Sequence, residues 1–274
     1  MEVLTIYVGQ GELVLVRHQS EAVAVDTRWL EERADDIEKK VETFLNGHKL
    51  VGIVLTGFDN DHADPAGLDY LLKEFEPDWV MYPRYYKDTD NATAVFNVIR
   101  KHERRRENTP HPLRTVSVRL DSMDSRLQND LSVWFNYELF SPHIEDMDNS
   151  NNCSIVLKLV GLGNGGFAYL ITGDTENQRW DTITEFFGDS LKSDVLSAPH
   201  HGSKNASHPQ MVLSVSPNTV LISAGVDNQY GHPDSNALKI YQRVADHVFQ
   251  TNVEEGVSLH TKRDGDDFLT RLVR

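Results

Sequence analysis

Short apolar runs rich in β-branched residues alternate along the chain with longer stretches whose apolar positions recur at helical spacing. The runs at 3–8 and 13–16 flank Gly9, Gln10 and Gly11, and a third follows at 22–25, which predicts a β-meander. Asp26 or Thr27 then stands where a helix cap is expected. Beyond it, Leu30, Ala34, Ile37, Val41, Phe44 and Leu45 define an apolar helical face, with Gly47 just past its end. That helix leads into a strand at 51–55. Further helices are predicted near 67–75, 92–106, 177–187 and 235–245. Strands are predicted at 79–82, 115–120, 131–139, 154–159, 168–171, 195–196 and 220–223, before closing strands. Meanders mixed with β-to-α units predict an α/β layered architecture rather than an all-parallel sheet. No composition shift or Pro/Gly/Ser-rich linker divides residues 1–274, which read as a single domain, and no internal sequence repeat is visible.

The most informative stretch is LTGFDNDHADPAG at 55–67, directly after the 51–55 run. It brings Asp59, Asp61, His62 and Asp64 into six positions, and crowding carboxylates at the end of a buried strand is costly unless a cation holds them together. Asp64, before Pro65, reads as a helix cap instead. Three more segments share the design of an apolar strand followed by an abrupt polar cluster. They are NNCS at 151–154, LITGDTE at 170–176 and APHHGSKNAS at 198–207. Sites collect at strand ends in layered α/β folds, so four such ends predict one shared site. Asp174 sits in a Gly-Asp turn, and the turn holding His200 and His201 exposes at least one imidazole. Aspartates mixed with histidines suit zinc, manganese or iron, the carboxylates favouring the harder ions. Taken singly, Asp and His in turns are ordinary; the combination carries the inference.

Charge narrows the substrate. Lys and Arg number 27 against 42 Asp and Glu, a net charge of −15, so the average surface repels polyanions and does not steer nucleic acid from a distance. The basic run RKHERRR at 100–106 reads as the solvated face of a helix or, alternatively, as a nucleic-acid patch. The lone Cys153 allows no intramolecular disulfide, no apolar run approaches the ~20 residues of a membrane span, and the N-terminus lacks signal-peptide features. A cytoplasmic protein without membrane contact is the expectation.

These segments together resemble the metallo-β-lactamase fold, and within it the soluble nuclease-like domain of ComEC-type competence proteins and their freestanding relatives. VGQGELVLVR at 8–17 is similar to an opening VGQGD strand pair, and AVDT at 24–27 to the aspartate-bearing strand that follows. LTGFDNDHAD resembles a metal loop of the pattern His, any, Asp, any, Asp, His. NNCSIVL, LITGDTE, APHHGSKNAS and NQYGHP recur in the expected order. The resemblance implies an αββα four-layer sandwich with a metal centre at one edge. It implies Asp61, His62, Asp174 and His200 as one metal site, with Asp174 able to bridge to a second that includes Asp59. It implies hydrolysis through a metal-bound hydroxide oriented by Asp61, commonly of phosphodiesters, with His232 or His201 assisting the leaving group and Asn152, Ser203, Asn228, Tyr230 and His232 facing substrate.

The departure is Gly57, which stands where the metal loop has its first histidine. With only Asn151, Asn152, Cys153 and Ser154 available nearby, the second site lacks strong ligands, so one ion is expected rather than two. Manganese or zinc is expected, with magnesium as a further option. The leading expectation is a metal-dependent hydrolase, a phosphodiesterase acting on nucleic acid or a nucleotide, with a protein partner plausible. The alternative is a catalytically degenerate interaction or scaffold protein of the same fold, and hydrolysis of a non-phosphate ester or lactam ranks last.

Overall fold

The computed structural model describes residues 1–85, 87–120, 130–143 and 149–274. Two sheets lie face to face. The first is formed by β1 (Glu2–Thr5), β2 (Val14–His18), β3 (Glu21–Val25), β4 (Lys49–Val54), β5 (Trp79–Pro83), β6 (Arg114–Val118), β13 (Ser258–Asp264) and β14 (Asp267–Val273), in the order β14-β13-β1-β2-β3-β4-β5-β6. The second comprises β7 (Phe135–Ser141), β8 (Val156–Gly161), β9 (Ala168–Ile171), β10 (Val195–Ser197), β11 (Thr219–Ile222) and β12 (His247–Gln250), ordered β12-β11-β10-β9-β8-β7.

Strand alternation explains the layering. Val14 and Val16 join Val23, Val25, Leu157, Leu159, Tyr169 and Ile171 in the core between the sheets. Leu15, on the opposite face of β2, joins Ile37, Val41 and Phe44 of α1 (Ala34–Leu45), Leu68 and Leu71 of α2 (Pro65–Glu74), and Val95 and Ile99 of α3 (Asp90–Arg106). The outer face of the second sheet is covered likewise by α4 (Asn177–Phe187), α5 (Pro209–Val215) and α6 (Ser235–Val244), through Trp180, Ile183, Met211, Val212 and Tyr241. Each fully buried aliphatic side chain of this kind stabilises the fold by roughly 1.5–3 kcal/mol. The result is the four-layer αββα arrangement.

A repeat invisible in the sequence appears in the topology. In the first sheet β1-β2-β3 form an antiparallel meander and β3-β4-β5-β6 run parallel, with α1, α2 and α3 in the crossovers. In the second, β7-β8-β9 form the meander, β9-β10-β11-β12 run parallel, and α4, α5 and α6 make the crossovers. Ligands in such sheets gather at the carboxyl ends of parallel strands.

Two local differences from the sequence expectations have physical causes. Neither Asp26 nor Thr27 caps α1, which starts at Ala34 after a 3-10 turn at Glu31–Arg33. Thr27 Oγ1 donates to the Asp64 carbonyl instead, and Asp26 turns toward the 55–62 loop. The strand expected at 131–139 begins only at Phe135, because the backbone N–H groups of Val133 and Trp134 donate to the Glu21 carboxylate. The basic run at 100–106 is, as expected, a solvated helix face: Arg100, Lys101, Arg104 and Arg105 are exposed, Lys101 and Arg105 pair with Asp69 and Glu76, and only Arg106 is buried, donating to the carbonyls of His111 and Pro77. Asp64 does cap α2, accepting from the Ala66 N–H at 3.0 Å.

Candidate metal centre

Every side chain of the centre follows the carboxyl end of a parallel strand. Asp26 leaves β3, the Asp59–His62 loop follows β4, Asp174 follows β9, and the Pro199–Gly202 turn follows β10. Ligand atoms of Asp61, His62, Asp174 and His201 all lie within 4.8 Å of one another. His62 Nε2 is 2.8 Å from Asp174 Oδ1, and His201 Nε2 is 3.6 Å from Asp61 Oδ2 and 3.8 Å from Asp174 Oδ1. The two imidazoles stack with centroids 5.3 Å apart.

Supporting contacts fix which nitrogen each ring presents. His62 Nδ1 donates to Asp26 Oδ2 at 2.7 Å, and that carboxylate is itself held by the Thr56 N–H and Oγ1, each at 2.6 Å. His201 Nδ1 donates to the Ser223 carbonyl at 2.8 Å; a carbonyl only accepts, so the proton sits on Nδ1. Both Nε2 lone pairs are thereby turned inward, the arrangement that outer contacts impose on metal-binding histidines. His62 Nε2, His201 Nε2 and Asp174 Oδ1 are all buried, and none has a hydrogen bond of acceptable geometry. Buried polar atoms are rarely left so, and three aimed at one spot fit a cation. The donor set of two carboxylates and two imidazoles suits a divalent ion.

Electrostatics agree. Burial pushes the His62 imidazole down, but Asp174 and Asp26 outweigh it and hold it well above the usual range. Burial likewise opposes charge on Asp174, yet His62, with His201 and His200 beside it, keeps its carboxyl well below the usual range. Asp61 is held down against burial by His201 and His62, and His201 is held up against burial by Asp61 and Asp174. The centre concentrates negative charge that only a proton or a cation balances.

The backbone at the histidine pair is strained. His200 and His201 both adopt left-handed conformations, with φ of 50° and 55°, and Gly202 follows at φ 79°. Two non-glycine residues in this region cost roughly 1 kcal/mol or more each and persist where the surroundings enforce them. Here the His200 N–H donates to the Gly173 carbonyl and the Asp234 N–H to that of Gly202. The turn aims His201 inward and leaves His200 on the rim, its Nε2 3.7 Å from Asp174 Oδ2 and its Nδ1 3.8 Å from Glu176.

The sequence-derived residues are thus distributed unevenly. Asp61, His62 and Asp174 come together, and His201 joins them in the position expected of His200. Asp59 is engaged on both carboxylate oxygens by the Lys87 ammonium, 2.6 Å from Oδ2. Tyr230 and His232, stacked with centroids 5.9 Å apart, line a cleft of about 620 Å³ over the centre together with His200. Asn152, Ser203 and Asn228 do not line it. Asn152 Oδ1 accepts from the Glu176 N–H, Ser203 Oγ accepts from the Asn205 N–H, and Asn228 ties the backbone at Gly225 and His232. Sequence reading missed Asp26 as a support, together with Gln10, Arg28 and Lys87 on the cleft wall. For Asp26 and Lys87 the available signal is position, since both follow the carboxyl ends of parallel strands.

No protein-family model matches the chain. Among solved structures, Igni18, a metallo hydrolase from the archaeon Ignicoccus hospitalis, aligns over 96% of this chain and 100% of its own with a TM-score of 0.54 at 14% identity. The metallo-β-lactamase fold protein YhfI from Bacillus subtilis aligns over 94% of this chain and 99% of its own, with a TM-score of 0.51 at 14% identity. The fold is that of the metallo-β-lactamases. The chain's sequence is also similar to parts of two longer bacterial proteins. It is 27% identical over 268 residues to ComE operon protein 3 of Bacillus subtilis, covering 92% of this chain and 32% of that protein. It is 26% identical over 267 residues to Recombination protein 2 of Haemophilus influenzae, covering 96% and 29%. The chain spans about a third of the length of these relatives. Among the described residues no helix is long and apolar enough to cross a membrane.

The metallo-β-lactamase loop of this chain also shows what Gly57 is not. Its φ lies outside the left-handed region, and a Cβ built there meets only Ser154 Oγ, at 4.0 Å. Neither the backbone nor crowding requires glycine at the position.

Proposed function

We propose that the chain is a metal-dependent hydrolase that cleaves phosphodiester bonds in a nucleotide or in nucleic acid. The observation that carries this reading is the convergence of three buried ligand atoms of His62, Asp174 and His201, none with a well-formed hydrogen bond, beside Asp61 and beneath an open cleft. Manganese or zinc fits the donor set, with magnesium as a further option. When bound, such an ion would acidify water, to a pKa of roughly 7 in the case of zinc, and polarise a phosphoryl oxygen.

The protein's own groups do the rest. Asp61 is the most exposed of the four ligands, its side chain 33% accessible, so its carboxylate reaches the cleft and orients the attacking water. His201 has both nitrogens committed, Nδ1 to Ser223 and Nε2 to the centre, and so leaves proton transfer to the rim. There His200 and His232 stand with centroids 5.6 Å apart, facing the leaving group. Burial, with His200 and His201 beside it, holds His232 below the usual imidazole range, so it is neutral around pH 7 and serves as a hydrogen-bond donor. Tyr230 stacks on it and presents an exposed ring to a base or sugar.

The net charge of −15 favours a small or partner-delivered substrate over freely diffusing DNA. Arg28 and Lys87, the cations on the cleft wall among the described residues, are both paired with carboxylates. The test is turnover of a chromogenic phosphodiester, a cyclic dinucleotide and single-stranded DNA with Mn²⁺, Zn²⁺ and Mg²⁺ in turn. Activity that falls at least 100-fold in Asp61→Ala is expected; wild-type rates no higher than that variant's with every metal would overturn the reading.

Gly57 favours a second reading, a module of this fold that binds without cleaving. It predicts no metal-dependent change in melting temperature, whereas the hydrolase gains stability with ion concentration.

A further inference from the structure

Resting on the metal reading above, one further residue acquires a role. The metal-loop position at Gly57 offers no ligand, although a side chain there meets nothing closer than 4.0 Å. Two residues on, Asp59 remains a carboxylate, and its partner is the Lys87 ammonium, which donates to both Asp59 oxygens and to Ser150 Oγ at 3.1 Å. Lys87, Asp59 and Ser150 line the same cleft as Asp61, Asp174 and His201. Lys87 reaches it from beyond β5, the parallel strand next to the one that delivers the metal loop.

We propose that Lys87 supplies, as a tethered ammonium, the positive charge that a second cation would otherwise bring to the Asp59 side of the centre, so that the site takes one ion. Two losses are thereby matched. Removing the ligand at 57 leaves Asp59 unable to hold an ion tightly by itself, since a single carboxylate is a weak site. Left unbalanced, that carboxylate would repel an anionic substrate from the cleft that also contains Asp61 and Asp174. An ammonium is compact, brings three donors and needs no other ligand. Its three donors go to the two Asp59 oxygens and Ser150 Oγ, so it neutralises Asp59 and lines the cleft as a fixed positive charge, where preorganised charge is most effective on a phosphoryl group. A half-exposed pair of this kind adds little to folding stability, which directs the explanation to the site's charge.

The test counts ions, independently of turnover. The metal-stripped chain of 274 residues is titrated with Mn²⁺ by calorimetry, and the spin spectrum of each loaded protein is recorded. Wild type is expected to take one ion with a mononuclear spectrum. Lys87→Gln frees Asp59 and admits a second, weaker ion. Adding Gly57→His to that variant tightens the second ion at least tenfold and produces a spin-coupled pair, and adding Asp59→Asn removes it again. Lys87→Arg, which keeps the charge, stays at one ion. Lys87→Met, which retains the aliphatic stem, replaces the glutamine variant should that one melt before the titration. Two ions in wild type, or one ion in the folded Gly57→His/Lys87→Gln protein, would overturn the lysine proposal while leaving the hydrolase reading intact. No ion in wild type would sink both.

Discussion

Asp26 Oδ2 lies 2.7 Å from His62 Nδ1, and this contact between the ends of β3 and β4 decides which face of the imidazole the centre sees. The carboxylate accepts at the same time from the Thr56 N–H and hydroxyl, so it cannot swing away without leaving buried donors unmet.

Asp26→Asn is therefore expected to lower metal affinity by 10- to 100-fold, the usual effect of removing an outer partner from a metal-bound histidine. Its amide offers one acceptor where the carboxylate satisfies three donors, and the fold loses about 1–3 kcal/mol as well. Calorimetric titration alongside a thermal melt separates the two effects. An affinity within twofold of wild type would show that His62 is oriented by something else.

The two neighbouring histidines should part company on mutation. His201→Ala deletes an inward nitrogen and should weaken ion binding at least 100-fold. His200→Ala, on the rim, should change ion affinity less than fivefold while reducing turnover. Paired binding and rate measurements check this, and the reverse order of affinities would return His200 to the ligand set.

Away from the centre, Glu2 gives a pH signature. His260 Nε2 donates to its carboxylate at 2.6 Å and Arg17 at 2.9 Å. The His260 bond leads, burial opposes it, Arg17 adds to it, and the carboxyl is pushed down to about 2 from an ordinary 4.5. A group lowered on folding stabilises fully above its unfolded value, so this contribution is intact at pH 6 and disappears as pH falls from 4.5 toward 2. With solvent screening of a partly exposed pair, Glu2→Gln should cost about 1 kcal/mol at pH 6 and only about a quarter of that at pH 2.5. Denaturant melts at the two pH values measure the difference; a gap that persists undiminished at the lower one would contradict the assignment.

Much of this was legible in the chain itself. The apolar runs located most of the strands because alternation along a half-buried strand leaves a direct trace, as at Val14, Leu15 and Val16. The clustering of Asp61, His62 and Asp174 was legible from the shared design of the strand ends. The choice between His200 and His201 was not, because it depends on three successive left-handed residues and on the Ser223 carbonyl 22 positions away. Asp26 was mistaken for a helix cap because Asp before an amphipathic stretch is the ordinary capping pattern, and its partner 36 residues on is set by the pairing of β3 with β4. Lys87 carried no signal beyond its place after β5; its meaning comes from Asp59, 28 residues earlier.

The twofold plan of the chain has a final consequence. Asp61 and His62 arise from the first half, Asp174 and His201 from the second, and the ligands meet only where the rims of the two sheets adjoin. An ion held there would be a clasp across a seam: any slippage between the halves would reach the site before it reached either core, parting the four side chains while leaving each layer outwardly whole.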